Sequence, residues 1–224
     1  MWFQTTLIVF GTVVSCDESE QTIATFESDP TTETQWSPLD SSLFISSIVS
    51  FEPGSGAGFG QDKLPDVILG VPEGGGLNYG GLDVLSLGKQ GSVIIKMGAF
   101  VYDGPGPDFV VFENPFAVAG SENQVYVEPA TVAVSEDGIL FETFPCAEHP
   151  PWQGCAGITP VYASTSNHID PRDLSAAGGD AFDLQSIGLE RIRYIQVTDR
   201  LGKGSNGQAG FDLDAIVAIH TESP

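Results

Sequence analysis

The sequence predicts an all-β domain, an antiparallel β-sandwich, on three observations. Nine or ten short apolar runs recur from about Ser42 onward, with turn residues between them. Glycine (27) and proline (15) are abundant while charged residues make up only 17%, the composition of short strands joined by tight turns. No stretch sustains a 3.6-residue period, and no repeat is long enough for a solenoid or propeller.

The strands are read in order. Leu43–Phe51 is the first, followed by the glycine-rich loop Gly54–Gly60. Val67–Val71 is a strand running into the loop Pro72–Gly76. Leu82–Leu87 and Ser92–Met97 flank Gly88–Gly91, a hairpin connection. Phe109–Phe112 is a compact, uniformly apolar run and a candidate buried strand. Val125–Val127 and Thr131–Val134 follow, and Glu136-Asp137-Gly138 turns the chain into Ile139–Phe144. A turn or two of helix is expected around Leu184–Leu189, and Tyr194–Thr198 and Phe211–Ile219 complete the set.

Ahead of this domain, residues 2–15 are largely apolar but too short to span a bilayer, the length of a signal-peptide core. They end in Val13-Val14-Ser15-Cys16, which resembles the lipobox of bacterial lipoproteins. The resemblance implies that Cys16 is lipidated and becomes the mature N-terminus, with several acyl chains as a firm anchor. The segment before it carries no Lys or Arg, a departure from that pattern. Residues 16–41 are polar, rich in Ser, Thr, Glu and Asp, and read as a flexible tether to a domain spanning 42–224. The expected location is the bacterial cell envelope, periplasmic or at the cell surface.

Thirty acidic residues face only eight basic ones, so 22 carboxylates lack a cationic partner. A field of this sign repels nucleic acid and attracts Ca²⁺. Eight residues are candidate Ca²⁺ ligands. Asp103 and Asp108 bracket the rigid corner Gly104-Pro-Gly-Pro107, whose carbonyls suit a hard cation. Glu113 and Asn114 lie beyond the Phe109–Phe112 strand, which spans roughly 13 Å when extended, so the two pairs are separate half-sites. Asp180 and Asp183 stand in a turn, and Asp212 and Asp214 sit two residues apart at the start of a strand, on one side of it. Convergence of these segments with Glu113 would make one acidic cluster. The alternative is a set of turn aspartates hydrogen-bonded to nearby backbone N–H groups.

With Cys16 consumed, Cys146 and Cys155 remain, and in an oxidising compartment such a pair forms a disulfide. A metal site from Cys146, His149 and Cys155 is the rival. No Gly-x-Ser-x-Gly or His-Glu-x-x-His motif is present.

Three strings are distinctive: Asp103–Phe116, Gly178–Leu184 and Gly210–Ala215. Together they resemble a family of bacterial cell-surface proteins and lipoproteins of unassigned role, over about residues 45–220. That family is similar in plan to galactose-binding-like, discoidin-type jelly rolls. Arg193-Tyr-Ile-Gln-Val-Thr198 before the last strand adds to the likeness. The resemblance implies a jelly-roll-like sandwich outside the cytoplasm, often with a structural Ca²⁺, and it does not imply an enzyme. The expected function is therefore a lipid-anchored, Ca²⁺-stabilised, non-catalytic binding or adhesion module for glycan or surface protein. The alternatives are a structural envelope lipoprotein and a polysaccharide hydrolase using carboxylates such as Asp180, Glu113 or Asp212. A hydrolase would have its carboxylate pair in an aromatic-lined cleft, for which Trp152, Tyr162 and Tyr126 are candidates.

Overall fold

A computed structural model describes residues 39–118, 124–200 and 210–222. The expected signal peptide, Cys16 and the expected tether as far as residue 38 lie outside the described residues. Residues 39–41, expected to close the tether, join the folded unit instead. Asp40 caps a 3₁₀ turn at Ser41–Leu43 through the Ser42 N–H, and Leu39 packs against buried apolar side chains.

The described strands are β1 (Ile45–Glu52), β2 (Leu85–Ser86), β3 (Ser92–Tyr102), β4 (Phe109–Phe112), β5 (Phe116–Ala117), β6 (Val125–Tyr126), β7 (Ala130–Ser135), β8 (Glu142–Thr143), β9 (Asp180–Phe182), β10 (Arg191–Asp199), β11 (Asp212–Leu213) and β12 (Ala215–Ala218). Helix among the described residues is confined to short 3₁₀ turns, one of them at Leu184–Ile187 where a turn of helix is expected. The domain is all-β, and its strand pairs are antiparallel.

A five-stranded sheet runs β1-β3-β10-β7-β8, and a three-stranded sheet runs β12-β4-β9. They share one core. Alternate residues of β3, β7 and β10 (Val93, Ile95, Val132, Val134, Ile195, Val197) meet Phe109, Val111, Ile216 and Ala218 of the smaller sheet. Phe109 stacks on Phe182 with ring centroids 5.2 Å apart, and Phe144 meets both edge-on. Val110 and Phe112 point the other way, into a second apolar cluster with Phe44, Val161, Ala163 and Val217. Strand β4 is thus covered on both faces, which accounts for its unbroken apolar sequence.

The C-terminal run contains a change of phase. Phe211 and Leu213 enter the main core, but so do Ile216 and Ala218, while Ala215 and Val217 enter the second cluster. The period-2 alternation slips by one at Asp214, which belongs to neither β11 nor β12. The continuous strand expected over Phe211–Ile219 is therefore two short ones. β11 pairs with β2, and β12 pairs with β4.

Other expectations need correction as well. Val67–Val71 is not a strand; Asp66–Ile68 is a 3₁₀ turn that buries Val67 and Ile68 after Pro65, which has no N–H to give a ladder. Gly88–Gly91 does not close a hairpin, because β2 and β3 belong to different sheets. The Gly54 N–H donates to the Leu87 carbonyl and the Lys89 N–H to the Ser55 carbonyl, so this connection is pinned to the glycine-rich loop as the chain changes sheets. The turn expected at 136–138 returns the chain from β7 to β8 but continues through residue 141, leaving Ile139 and Leu140 exposed, so the strand expected over Ile139–Phe144 is only Glu142–Thr143. The Asp137 carboxylate accepts from the Ile139 and Leu140 N–H groups to fix it.

At the edge of the large sheet, the register of β1 against β3 shifts twice, between Ile45 and Ser47 and between Ile48 and Ser50. Its exposed face carries serines among apolar residues.

Candidate cation centre

Three carboxylates reach one point from three directions. Glu113 is the first residue after β4 and is carried inward by that buried strand. Asp212 opens β11, opposite Ser86 of β2. Glu128 lies just before Pro129 and β7. One oxygen from each lies within 4.8 Å of the other two.

Glu113 is 2% exposed and Glu128 6%. Both oxygens of Glu113, and Oδ1 of Asp212, are buried without a hydrogen-bond partner. The Asn114 amide lies close enough to oppose the shift of Glu113 slightly, yet makes no well-formed hydrogen bond to it. Glu128 Oε1 accepts from the Tyr126 hydroxyl at 3.2 Å.

Burial, then the like charges of Asp212 and Glu128, holds the Glu113 carboxyl well above its ordinary range. Burial and the Asp212 charge push Glu128 up to about 8. Asp212 is raised too, chiefly by burial and opposed by the Ser86 hydroxyl. Like charges in a buried site have two remedies, protonation or a bound cation.

The donor set fits a hard divalent ion. Calcium–oxygen distances of about 2.3–2.6 Å put two ligands of one ion at most about 5 Å apart, and these oxygens, all within 4.8 Å of one another, satisfy that limit. The unpartnered oxygens are the acceptors such an ion would satisfy. Glu113, Glu128 and Asp212 would hold it, and it would supply positive charge to a site with no Lys or Arg among these ligands.

The other sequence-predicted acids are distributed differently. Asp103, Asp108 and Asp183 form a second trio within 4.8 Å. There Asp108 already accepts from the Gly104 N–H at 2.7 Å and the Leu184 N–H at 2.8 Å. Asp183 caps the 3₁₀ turn through the Gln185 N–H. Asp103 is exposed. Asp180 accepts from the Ile158 N–H and the Thr159 hydroxyl. Asp214 accepts from the Glu73 N–H, so the phase slip sends it away from Asp212 rather than beside it. Asn114 does not share a half-site with Glu113; its Nδ2 donates to the Gly81 carbonyl.

Of the eight predicted ligands, Glu113 and Asp212 therefore meet without competing backbone donors. Their third partner, Glu128, was not among the sequence candidates. The signal available was an acid directly before a proline at the head of an apolar strand.

Cys146 and Cys155 form a disulfide, which removes both sulfurs from the alternative zinc site with His149. Arg200 braces this loop: Nη1 donates to the Ala147 carbonyl at 2.8 Å, and Nη2 pairs with Glu148 at 2.9 Å. The aromatic residues proposed for a cleft do not share one. Trp152 is buried, Tyr126 stacks on Phe116, and Tyr162 is exposed on another loop.

Comparison with protein-family models finds none that matches the chain, and comparison with curated proteins finds no similar sequence.

Proposed function

We propose that this chain is a lipid-anchored, non-catalytic binding module of the bacterial cell envelope, its jelly-roll-like β-sandwich held by one buried Ca²⁺ shared by Glu113, Glu128 and Asp212. The observation that carries the ion is the pair of orphaned Glu113 oxygens, facing two further carboxylates in a buried site. Buried carboxylates without hydrogen-bond donors must either hold protons or share a cation, and three of them meeting at one point favour the cation. The location rests on the disulfide, characteristic of an oxidising compartment, and on the lipobox-like sequence ending at Cys16. The ligand is a glycan or a surface protein; the acidic field disfavours nucleic acid.

Burial also argues against the hydrolase reading. A glycosidase needs both carboxylates open to the sugar. Glu113 at 2% exposure cannot be reached by a polymer.

Thermal melting of the full-length chain in EDTA and in millimolar Ca²⁺ tests the ion. Saturating Ca²⁺ at a hundred times its Kd stabilises by about 2.7 kcal/mol, a rise of several degrees in Tm. Identical melting curves in EDTA and Ca²⁺ would rule the ion out.

A further inference from the structure

We infer that the hollow between Tyr79 and Tyr162 is a binding site for a neutral oligosaccharide. This deepens the binding-module reading and rests on it, but the cation centre plays no part in it. The hollow has a volume of about 370 Å³, within the range of small-ligand sites. Its floor is the glycine segment Gly74–Gly76, and the two tyrosines stand beside it.

Both rings are placed by the backbone. The Gly74 N–H donates to the Ala163 carbonyl and the Gly76 N–H to the Val161 carbonyl, which sets Tyr162 next to the glycines. A Cβ on Gly75 would lie 2.7 Å from Tyr79 Cδ2, and one on Gly76 would lie 3.2 Å from Tyr162 Cδ1. The rings rest against bare backbone, so any side chain at Gly75 would displace Tyr79. Yet Tyr79 remains 67% exposed and Tyr162 43%. They are held in place but uncovered, so they present rigid apolar faces at small entropic cost on binding.

The remaining wall is polar and preorganised. Asn167 Oδ1 accepts from the Ser164 N–H, and Asn167 Nδ2 donates to the Tyr162 carbonyl, which fixes the turn carrying Ser164 and Ser166. The hydroxyls of Ser164 and Ser166 are 2.9 Å apart. Aromatic faces beside a row of hydroxyl and amide groups match a sugar, which offers C–H faces and vicinal hydroxyls.

Charge selects the class. None of the lining residues is basic, and Glu73 lies next to the glycine floor, where it accepts from the Thr165 hydroxyl. On a chain of net charge -22, an anionic glycan is repelled. Glu73 is engaged by Thr165 rather than aimed at the rings, so a cation is not the favoured occupant either.

The test is calorimetric titration of the full-length, Ca²⁺-loaded chain with gluco-, galacto-, manno- and xylo-oligosaccharides, with oligogalacturonate and choline as charged comparators. At least one neutral oligomer is expected to bind, and Tyr79→Ala and Tyr162→Ala each to weaken it about tenfold with Tm unchanged. Tyr79, the more exposed ring, keeps the test decisive should Tyr162→Ala unfold the domain. Undiminished affinity in the Tyr79→Ala variant, binding by the charged probes alone, or no binding by any neutral oligomer overturns the inference. The Ca²⁺-dependent melting shift, measured on the same preparation, reports separately on the cation reading.

Discussion

Glu113 and Glu128 approach within 4.8 Å through oxygens that leave two different strands, and neither oxygen of Glu113 has a hydrogen-bond partner. Replacing Glu113 with Gln therefore has opposite consequences with and without an ion. In the metal-free state burial and the neighbouring acids favour the protonated Glu113 carboxyl, which Gln imitates, so Glu113→Gln is expected to change Tm less in EDTA than in Ca²⁺. As pH rises the variant gains on the wild type, since it has no charge to bury. In Ca²⁺ it lacks the stabilisation of about 2.7 kcal/mol that saturated wild type gains. Scanning calorimetry of both proteins in both buffers checks the pattern, and a variant that still responds fully to Ca²⁺ contradicts it.

The pH dependence has a definite sign. Glu128 titrates at about 8 in the folded state, against an ordinary value of 4.5. The folded state binds the proton more tightly, so this contribution is fully present below about pH 4.5 and disappears as pH rises through about 8. Glu113 and Asp212 act in the same direction. The turn and ion-pair aspartates Asp40, Asp137, Asp170 and Asp173 are held below 3.8, and their contribution is lost only under more acidic conditions. Metal-free protein is thus expected to be most stable in mildly acidic buffer and to weaken steadily towards alkaline pH. Calcium reverses the alkaline trend, because it competes with the same protons and binds more tightly as they leave. A Tm in EDTA that is flat or rising between about pH 5 and 9 would contradict this assignment.

Asp108 and Asp103 separate a structural carboxylate from a solvated one. Asp108 is fully buried and holds the N–H groups of Gly104 and Leu184, tying the Gly-Pro corner to the segment after β9. Asp108→Ala is expected to cost about 3 kcal/mol, through two donors left unsatisfied. Asp103→Ala, at an exposed position, is expected to stay within about 0.5 kcal/mol. Urea denaturation of the two variants measures the contrast, and equal losses would refute it.

The sequence exposed the β architecture more clearly than its connections. Phe109-Val-Val-Phe112 could be read as a buried strand because its apolar pattern is unbroken, and the structure adds that both of its faces are covered. The Phe211–Ile219 run was equally apolar but concealed the slip at Asp214, since periodicity tolerates one residue out of phase over so short a span. Val67 and Ile68 were buried as an apolar run predicts, but by a turn, because local composition cannot distinguish two ways of hiding the same side chains. In the candidate site, Glu113 and Asp212 stood out through the strands beside them. Glu128 did not, because its meeting with them depends on β7 and β11 coming together from distant parts of the chain. The backbone donors that occupy Asp108, Asp180 and Asp214 were equally hidden, since N–H directions follow from tertiary structure.

The two register shifts in β1 bear on how copies of this chain behave when crowded. An unpaired outer strand offers N–H and C=O groups to any neighbour that can align with them. The bulges interrupt that alignment twice within eight residues, so an approaching strand finds no long straight stretch to zip along. Crowded molecules can then collide edge to edge and separate again, without seeding an intermolecular sheet.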